Sequence, residues 1–367
     1  MKTRAAILQS LNAPLEVKVI DLPELLSGQV LVKVHYSGVC RSQLMEVKGG
    51  RGNDPWLPHL LGHEGSGEVL AIGDGVTKVK PGDAVILGWL KGSGLEAPGA
   101  HYRCGDQVIN SGRVTTFSTH TIVSENRVTL KPDELPMDVA VLFGCALPTG
   151  AGMVLNQVQP LSGATVAVLG LGGVGLSALM ALKGFDCAQI IAIDISAEKL
   201  ALAKDLGATH TLQVGQADRQ NISSIPAFTH PPHPQPSSQN HIYDQVMALT
   251  KTGVDICIES AGTVETIELG FSLIRKGGGR LWFASHPPEG EMIRLAPHDL
   301  ISGKHIFGTW GGSSFPDRDI PRMTEIFRKG NVPLDRLLTQ RYSLDQVNEA
   351  LADLEAGRVF RPLLVMD

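Results

Sequence analysis

The sequence predicts an α/β protein of two domains, a strand-rich one formed by residues 1–147 with 311–367 and a doubly wound parallel sheet over 148–310. Three observations lead there. Residues 1–147 carry short β-branched or alternating runs, such as Val30-Leu31-Val32-Lys33-Val34 and Ala84-Val85-Ile86-Leu87, cut by Gly and Pro. From Ala164 onward the pattern changes to strand and helix in alternation. A glycine-rich turn, Gly170-Leu171-Gly172-Gly173-Val174-Gly175, joins an apolar strand to an apolar helix.

In the second region the expected strands are 165–169, 189–193, 209–214, 254–258, 279–284 and 305–309, with helical segments between most of them. Residues 166–182 are apolar enough to suggest a membrane span, yet Gly170, Gly172, Gly173 and Gly175 interrupt them, so a buried strand, a turn and a buried helix are predicted. Beyond about residue 311 come a helix at 319–329, a second at 344–356 and a last strand at 361–366. In the second helix Leu344, Val347, Leu351 and Leu354 recur at helical spacing. This segment is expected to fold back onto the first domain and leave a cleft between the two. Residues 225–241, rich in Pro, Ser and His, break the alternation and read as a long exposed loop. His230, His233 and His241 lie there, but nothing fixes their geometry for a metal, and a solvated linker is the better reading.

Composition narrows the function. A chain of 367 residues, 43% hydrophobic and 19% charged, suffices for two cored domains. A net charge of -5 with mixed signs leaves no basic face for a phosphate backbone, so nucleic acid is not an expected partner. The five cysteines are scattered and odd in number, which argues against a disulfide framework and for a reducing, cytoplasmic setting. The N-terminus has no signal-peptide pattern, and neither export nor a membrane is expected.

The glycine turn has the context that a nucleotide site needs. Gly170 permits the tight turn, Gly172 lets backbone amides reach a pyrophosphate, and Gly175 allows close packing of strand and helix. A helix starting near Leu176 follows, and its N-terminus stabilises an anion. About twenty residues on, Asp194 ends the second strand, where a carboxylate accepts ribose hydroxyls and repels a 2′-phosphate, favouring NAD over NADP. A glycine-rich core turn with a chance aspartate is the competing reading.

Cys40, His63 and Cys145 supply two thiolates and an imidazole, and three such ligands with a fourth position open are the pattern of a catalytic rather than a structural zinc. A buried Cys is more often a small hydrophobe, and the residues alone leave both readings open. For Cys187 and Cys257, in apolar strand contexts, the hydrophobic reading is preferred.

Gly62-His63-Glu64-x-x-Gly67, followed by Gly73 and Val76, resembles the zinc motif of medium-chain alcohol dehydrogenases, and Gly38-Val39-Cys40-Arg41-Ser42 is similar to their first ligand segment. Lys80-Pro81-Gly82-Asp83, Gly144-Cys145 with Thr149, the glycine turn, residues 308–312 and residues 357–361 extend the resemblance over nearly the whole chain. It implies a GroES-like catalytic domain and a Rossmann NAD-binding domain. It further implies Cys40, His63 and Cys145 on a catalytic zinc, with Glu64 behind it. Arg41 and Arg361 would pair with the cofactor pyrophosphate, Asp194 and Lys199 would hold the adenosine ribose, and Val174 and Thr149 would flank the nicotinamide. Ser42 would relay the proton, and Trp89 would narrow the substrate pocket. Zinc lowers the pKa of a coordinated water from about 15.7 to about 7, and an alcohol gains acidity in the same manner before giving its hydride to nicotinamide.

The sequence departs from the family at four places. Met45 stands where a histidine usually continues the proton path, and Gln43 replaces the aspartate that usually supports the zinc-bound histidine. His286 falls where an apolar residue near the nicotinamide is usual; it either moves a proton or binds a polar substrate, against a surface or packing role. Residues 90–112 contain only Cys104 where many relatives have four cysteines, so one catalytic zinc per chain and no structural zinc are expected.

The expected activity is therefore NAD-linked interconversion of a primary or secondary alcohol, a polyol or sugar derivative included, and its aldehyde or ketone. A zinc-independent quinone or enoyl reductase and a non-catalytic nucleotide-binding protein are the alternatives. Residues 305–309, as an edge strand, make a homodimer the expected assembly, with a tetramer left open.

Overall fold

A computed structural model describes residues 1–215, 241–285 and 287–366. The chain forms two compact units: Met1–Pro148 with Ser314–Asp367, and Thr149–Ser313.

In the first unit, the strand Gln29–Gly38 organises the sheet because its alternate residues serve two different cores. Val30, Val32 and Val34 pack with Val69, Val85 and Leu87, and with Leu344, Val347, Leu351 and Leu364 from the C-terminal segment. Leu31 packs instead against Ile7, Ile20, Tyr102, Ile109 and Ile122, which fill a small closed barrel. This follows from the two-residue period of a strand, which sends neighbouring side chains to opposite faces.

The end of the chain joins that sheet. Arg361–Val365 pairs antiparallel with Gln29–Gly38, placing Leu363 opposite Gly38, and Leu338–Ser343 pairs beside it in parallel. The expected helix at 319–329 starts earlier, at Pro316, because proline's missing N–H and fixed φ suit a first helical turn. The segment expected as helix from 344 opens with a 3₁₀ turn, Leu344–Gln346, before the α-helix Val347–Glu355. Gln346 reaches back to accept the Ser343 amide at 3.0 Å, which closes that tighter turn.

The second unit is a six-stranded parallel sheet in the order His210–Gln213, Gln189–Asp194, Thr165–Leu169, Ile256–Glu259, Arg280–Phe283, His305–Gly308. Val166, Ala167 and Val168 are fully buried, as a parallel strand covered on both faces requires. The strand order reverses between Thr165–Leu169 and Ile256–Glu259. In such sheets the crevice beyond the carboxyl ends of the two strands at the reversal is where ligands bind. The apolar run at 166–182 resolves into the strand Thr165–Leu169 and the helix Gly173–Leu182, which is buried from Gly175 onward. Among the described residues no single helix is long and apolar enough to cross a membrane.

Candidate functional site

Three loops of the first unit bring their donors to one point. Cys40 lies between the strand Gln29–Gly38 and the helix Arg41–Val47, and His63 directly precedes the strand Glu64–Ile72. Pairing of Ser37 with Gly65 sets these two loops side by side. Cys145 follows the 3₁₀ turn Val141–Gly144, and its approach needs a glycine: a Cβ on Gly144 would lie 2.8 Å from Glu64 Cβ. The Cys40, His63 and Cys145 ligand atoms all fall within 4.8 Å of one another, and His63 Nε2 is 3.2 Å from Cys145 Sγ.

The electrostatics suit a cation. The Cys145 thiol beside Cys40 holds the Cys40 thiol well below its ordinary value, with the Arg361 guanidinium and His63 acting in the same direction. Its neighbour, Cys145, is pushed well up, first by Cys40 and then by burial. Metal ligation requires the thiolate form, which the surroundings of Cys40 favour. A third observation concerns Ser42, one residue past the first ligand: its Oγ is buried and has no hydrogen-bond partner. Two thiolates and an imidazole are the donor set of a catalytic zinc with an open position, and the Ser42 hydroxyl lies one residue from the first ligand.

Gln43 braces two of these groups at once. Its Oε1 accepts the Cys40 amide at 2.9 Å, and its Nε2 meets His63 Nδ1. The C-x-x-Q spacing at a helix start, with the side chain three residues in reaching back, is the sequence signal for this double role.

Glu64 and Arg361 lie beside the centre as a buried ion pair, Arg361 Nη2 donating to Glu64 Oε2. Arg361, expected at the cofactor pyrophosphate, is 4% exposed at the start of the last strand, where it bonds Glu64. Burial would lower its pKa, but Glu64 and the two cysteines outweigh it, so the guanidinium stays charged. Burial lifts the Glu64 carboxyl above its ordinary range even though Arg361 opposes this; complete loss of water is the larger effect on that partner.

The nucleotide turn lies in the second unit. Gly170 has φ +87, a conformation that L side chains rarely adopt, and a Cβ there would lie 2.6 Å from the Ala261 amide nitrogen. A Cβ on Gly172 would meet nothing within 4 Å, so the backbone is open to a ligand at that point. On Gly175 a Cβ would strike the Gly170 carbonyl oxygen, which is the close packing expected of the third glycine. The helix Gly173–Leu182 begins at Gly172 with no side-chain cap on its first amides, and these suit a phosphate. Asp194 is 8% exposed; its Oδ2 accepts the Leu171 amide at 2.6 Å and its Oδ1 the Ser196 amide at 2.8 Å. That carboxylate therefore shapes the turn as well as standing beside it.

Of the other expected site residues, Arg41 is exposed at the start of its helix and Trp89 is half-buried just after the strand Ala84–Gly88. Thr149 is 5% exposed, and Val174 and Lys199 lie in the first turns of the helices Gly173–Leu182 and Ala197–Asp205. His286, His230 and His233 lie outside the described residues, whereas His241 is exposed at the head of the helix His241–Thr250.

Cys104 ends a short strand, His101–Cys104, and the lobe around it is tied by a carboxylate. Glu125, 1% exposed, accepts the amides of Thr77 at 2.7 Å, Lys78 at 2.8 Å and Leu95 at 2.6 Å. Burial alone would raise its pKa, but those three backbone donors hold it below the ordinary value. Sequence reasoning did not identify this anchor, since nothing local to Glu125 points at residues 77 and 95.

Two family models match the chain, "Alcohol dehydrogenase GroES-like domain" over residues 26–133 and "Zinc-binding dehydrogenase" over 173–329. The NDMA-dependent alcohol dehydrogenase of Amycolatopsis methanolica is 30% identical, covering 100% of this chain and 99% of that protein. The S-(hydroxymethyl)glutathione dehydrogenase of Paracoccus denitrificans is 27% identical with 100% of both covered. Among solved structures, benzyl alcohol dehydrogenase from Acinetobacter calcoaceticus superposes with a TM-score of 0.83 at 26% identity, covering 100% of both chains.

Proposed function

The chain belongs to the zinc-dependent medium-chain alcohol dehydrogenase family, and from that premise we propose that it moves a hydride between a primary or secondary alcohol and NAD, using one zinc per chain. The convergence of the Cys40, His63 and Cys145 donors carries this reading, because a zinc-independent quinone or enoyl reductase has no use for such a ligand set.

When bound, zinc supplies Lewis acidity to an alcohol or carbonyl oxygen and NAD supplies the hydride acceptor. The chain's own residues do the rest. Cys40, His63 and Cys145 would hold the metal, Gln43 holds the Cys40 amide, and Arg361 offsets the buried Glu64 carboxylate behind them. The buried Ser42 Oγ, which has no hydrogen-bond partner, would accept a hydrogen bond from the alcohol hydroxyl and so hold that proton in place. The 170–175 turn and Asp194 receive NAD; Asp194 favours it over NADP, since a carboxylate at that strand end repels a 2′-phosphate. Arg41, Lys199, Val174 and Thr149 keep their proposed cofactor roles, whereas Arg361 is assigned to the metal centre. Trp89, which would narrow the substrate pocket, favours small or flat alcohols, with polyols included in the test. The proposed assembly is a homodimer through the edge strand His305–Gly308.

The deciding experiment measures zinc per chain and then NAD reduction over simple alcohols, benzyl alcohol, polyols and sugars, with C40A as control. About one zinc per chain and turnover that vanishes in C40A are expected. Metal-free protein with full activity overturns the mechanism, and two tightly held zincs overturn the single-site reading.

A further inference from the structure

Glu259, the last residue of the strand Ile256–Glu259, is a fully buried carboxyl group that the mechanism above does not use. It lies at the strand-order reversal, at the same end of the sheet as the glycine turn. Its Oε1 accepts three donors, the amides of Ala261 and Gly262 and the Thr266 hydroxyl, each at 2.8 Å. Its Oε2 is buried and has no partner.

The turn that Glu259 gathers in is the one that presses on Gly170. Ser260 donates its amide to the Leu169 carbonyl at 2.8 Å and its hydroxyl to the Gly170 carbonyl at 2.6 Å. Ala261 lies so close that any side chain on Gly170 would collide with its backbone, and a Cβ on Gly175 would lie 2.5 Å from Ser260 Oγ. The 260–262 turn is thus a wall of the glycine cradle, and Glu259 fixes two of the backbone amides that shape it. Within the turn Gly262 has φ +82, a conformation that L side chains rarely adopt.

We propose that Glu259 is a positioning residue for the dinucleotide: it clamps the 260–262 turn against Gly170 and so sets the shape of the phosphate-binding turn without touching the cofactor. The inference rests on the NAD reading given above. Burial raises the Glu259 carboxyl above its ordinary range, and glutamine, which keeps an acceptor oxygen in the same place, is the conservative replacement.

The test compares NADH binding, followed by nicotinamide fluorescence on the full-length zinc-loaded protein, in the unaltered chain, E259Q, E259L and S260A. Thermal unfolding and zinc content are measured alongside. E259Q is expected to bind within about twofold of the unaltered chain, and E259L about tenfold more weakly, the equivalent of losing one well-placed hydrogen bond. In E259L the KM for NAD should rise by about the same factor while kcat at saturating NAD stays within about twofold. S260A, which leaves the core carboxyl in place, should weaken NADH about threefold to fivefold, so the proposal can be tested even if E259L fails to fold. Unchanged NADH affinity in E259L or S260A, with only the melting temperature lowered, would reduce Glu259 to a structural residue and overturn the proposal. E259Q binding as poorly as E259L would overturn the clamp as well. If the unaltered protein binds no NADH, the cofactor reading itself fails and this inference falls with it.

Discussion

Gln43 is the residue where this chain's chemistry is most its own. An amide presents His63 with a neutral partner, so the imidazole is less strongly oriented than beside a carboxylate. Gln43→Glu keeps the length and still accepts the Cys40 amide, and it should tighten zinc binding by about tenfold, read by chelator competition. An unchanged or weaker zinc affinity would mean that the added charge is not felt at His63. Ser42→Ala should lower kcat by about 10²-fold while zinc content stays constant, because only the proton path is cut. At this scale the sequence was informative wherever one residue's type limits its use: the two thiolates, the imidazole and the three glycines of the turn. It did not reveal that Arg361 bonds Glu64, because the two lie 297 positions apart and are brought together only by strand pairing.

Glu125 ties the lobe around residues 90–112 to its surroundings by collecting backbone amides from separate loops. Glu125→Gln leaves one of those amides facing an NH₂ group and should cost about 2 kcal/mol of stability, measured by denaturant unfolding. The pH dependence follows from the direction of the shift. The folded-state pKa of Glu125 lies below the ordinary 4.5, so its stabilisation is complete above about pH 4.5. It is lost as pH falls through the lower folded value, and E125Q should remove that component of acid unfolding. The alternating strands of the second unit were legible from apolar runs of strand length separated by helical periods. The 3₁₀ opening at Leu344–Gln346 was not, since both kinds of helix place apolar residues at a spacing of three.

In the molecule as a whole, the strand His305–Gly308 leaves an edge free for pairing within the second unit. His305 and Thr309 donate their amides inward, to Gly279 and Phe283, so the amide of Ile306 points outward. Nearby, Ile301 is 83% exposed, Phe307 37% and Trp310 76%, an apolar surface suited to burial against a second copy. Light scattering should give a dimer for the unaltered protein and a monomer for Ile306→Pro, a substitution that an edge strand tolerates. A monomer in both would discard the proposed assembly.

The first unit is discontinuous, and its metal centre depends on both of its parts. Cys40, His63, Glu64 and Cys145 precede the second unit in the chain, whereas Arg361 follows it. The guanidinium reaches Glu64 only because the strand Arg361–Val365 pairs with Gln29–Gly38. Loss of that strand's pairing would leave every metal ligand in place beside a buried acid without its counter-charge, so the electrostatics of the centre are set by a segment that supplies none of its ligands.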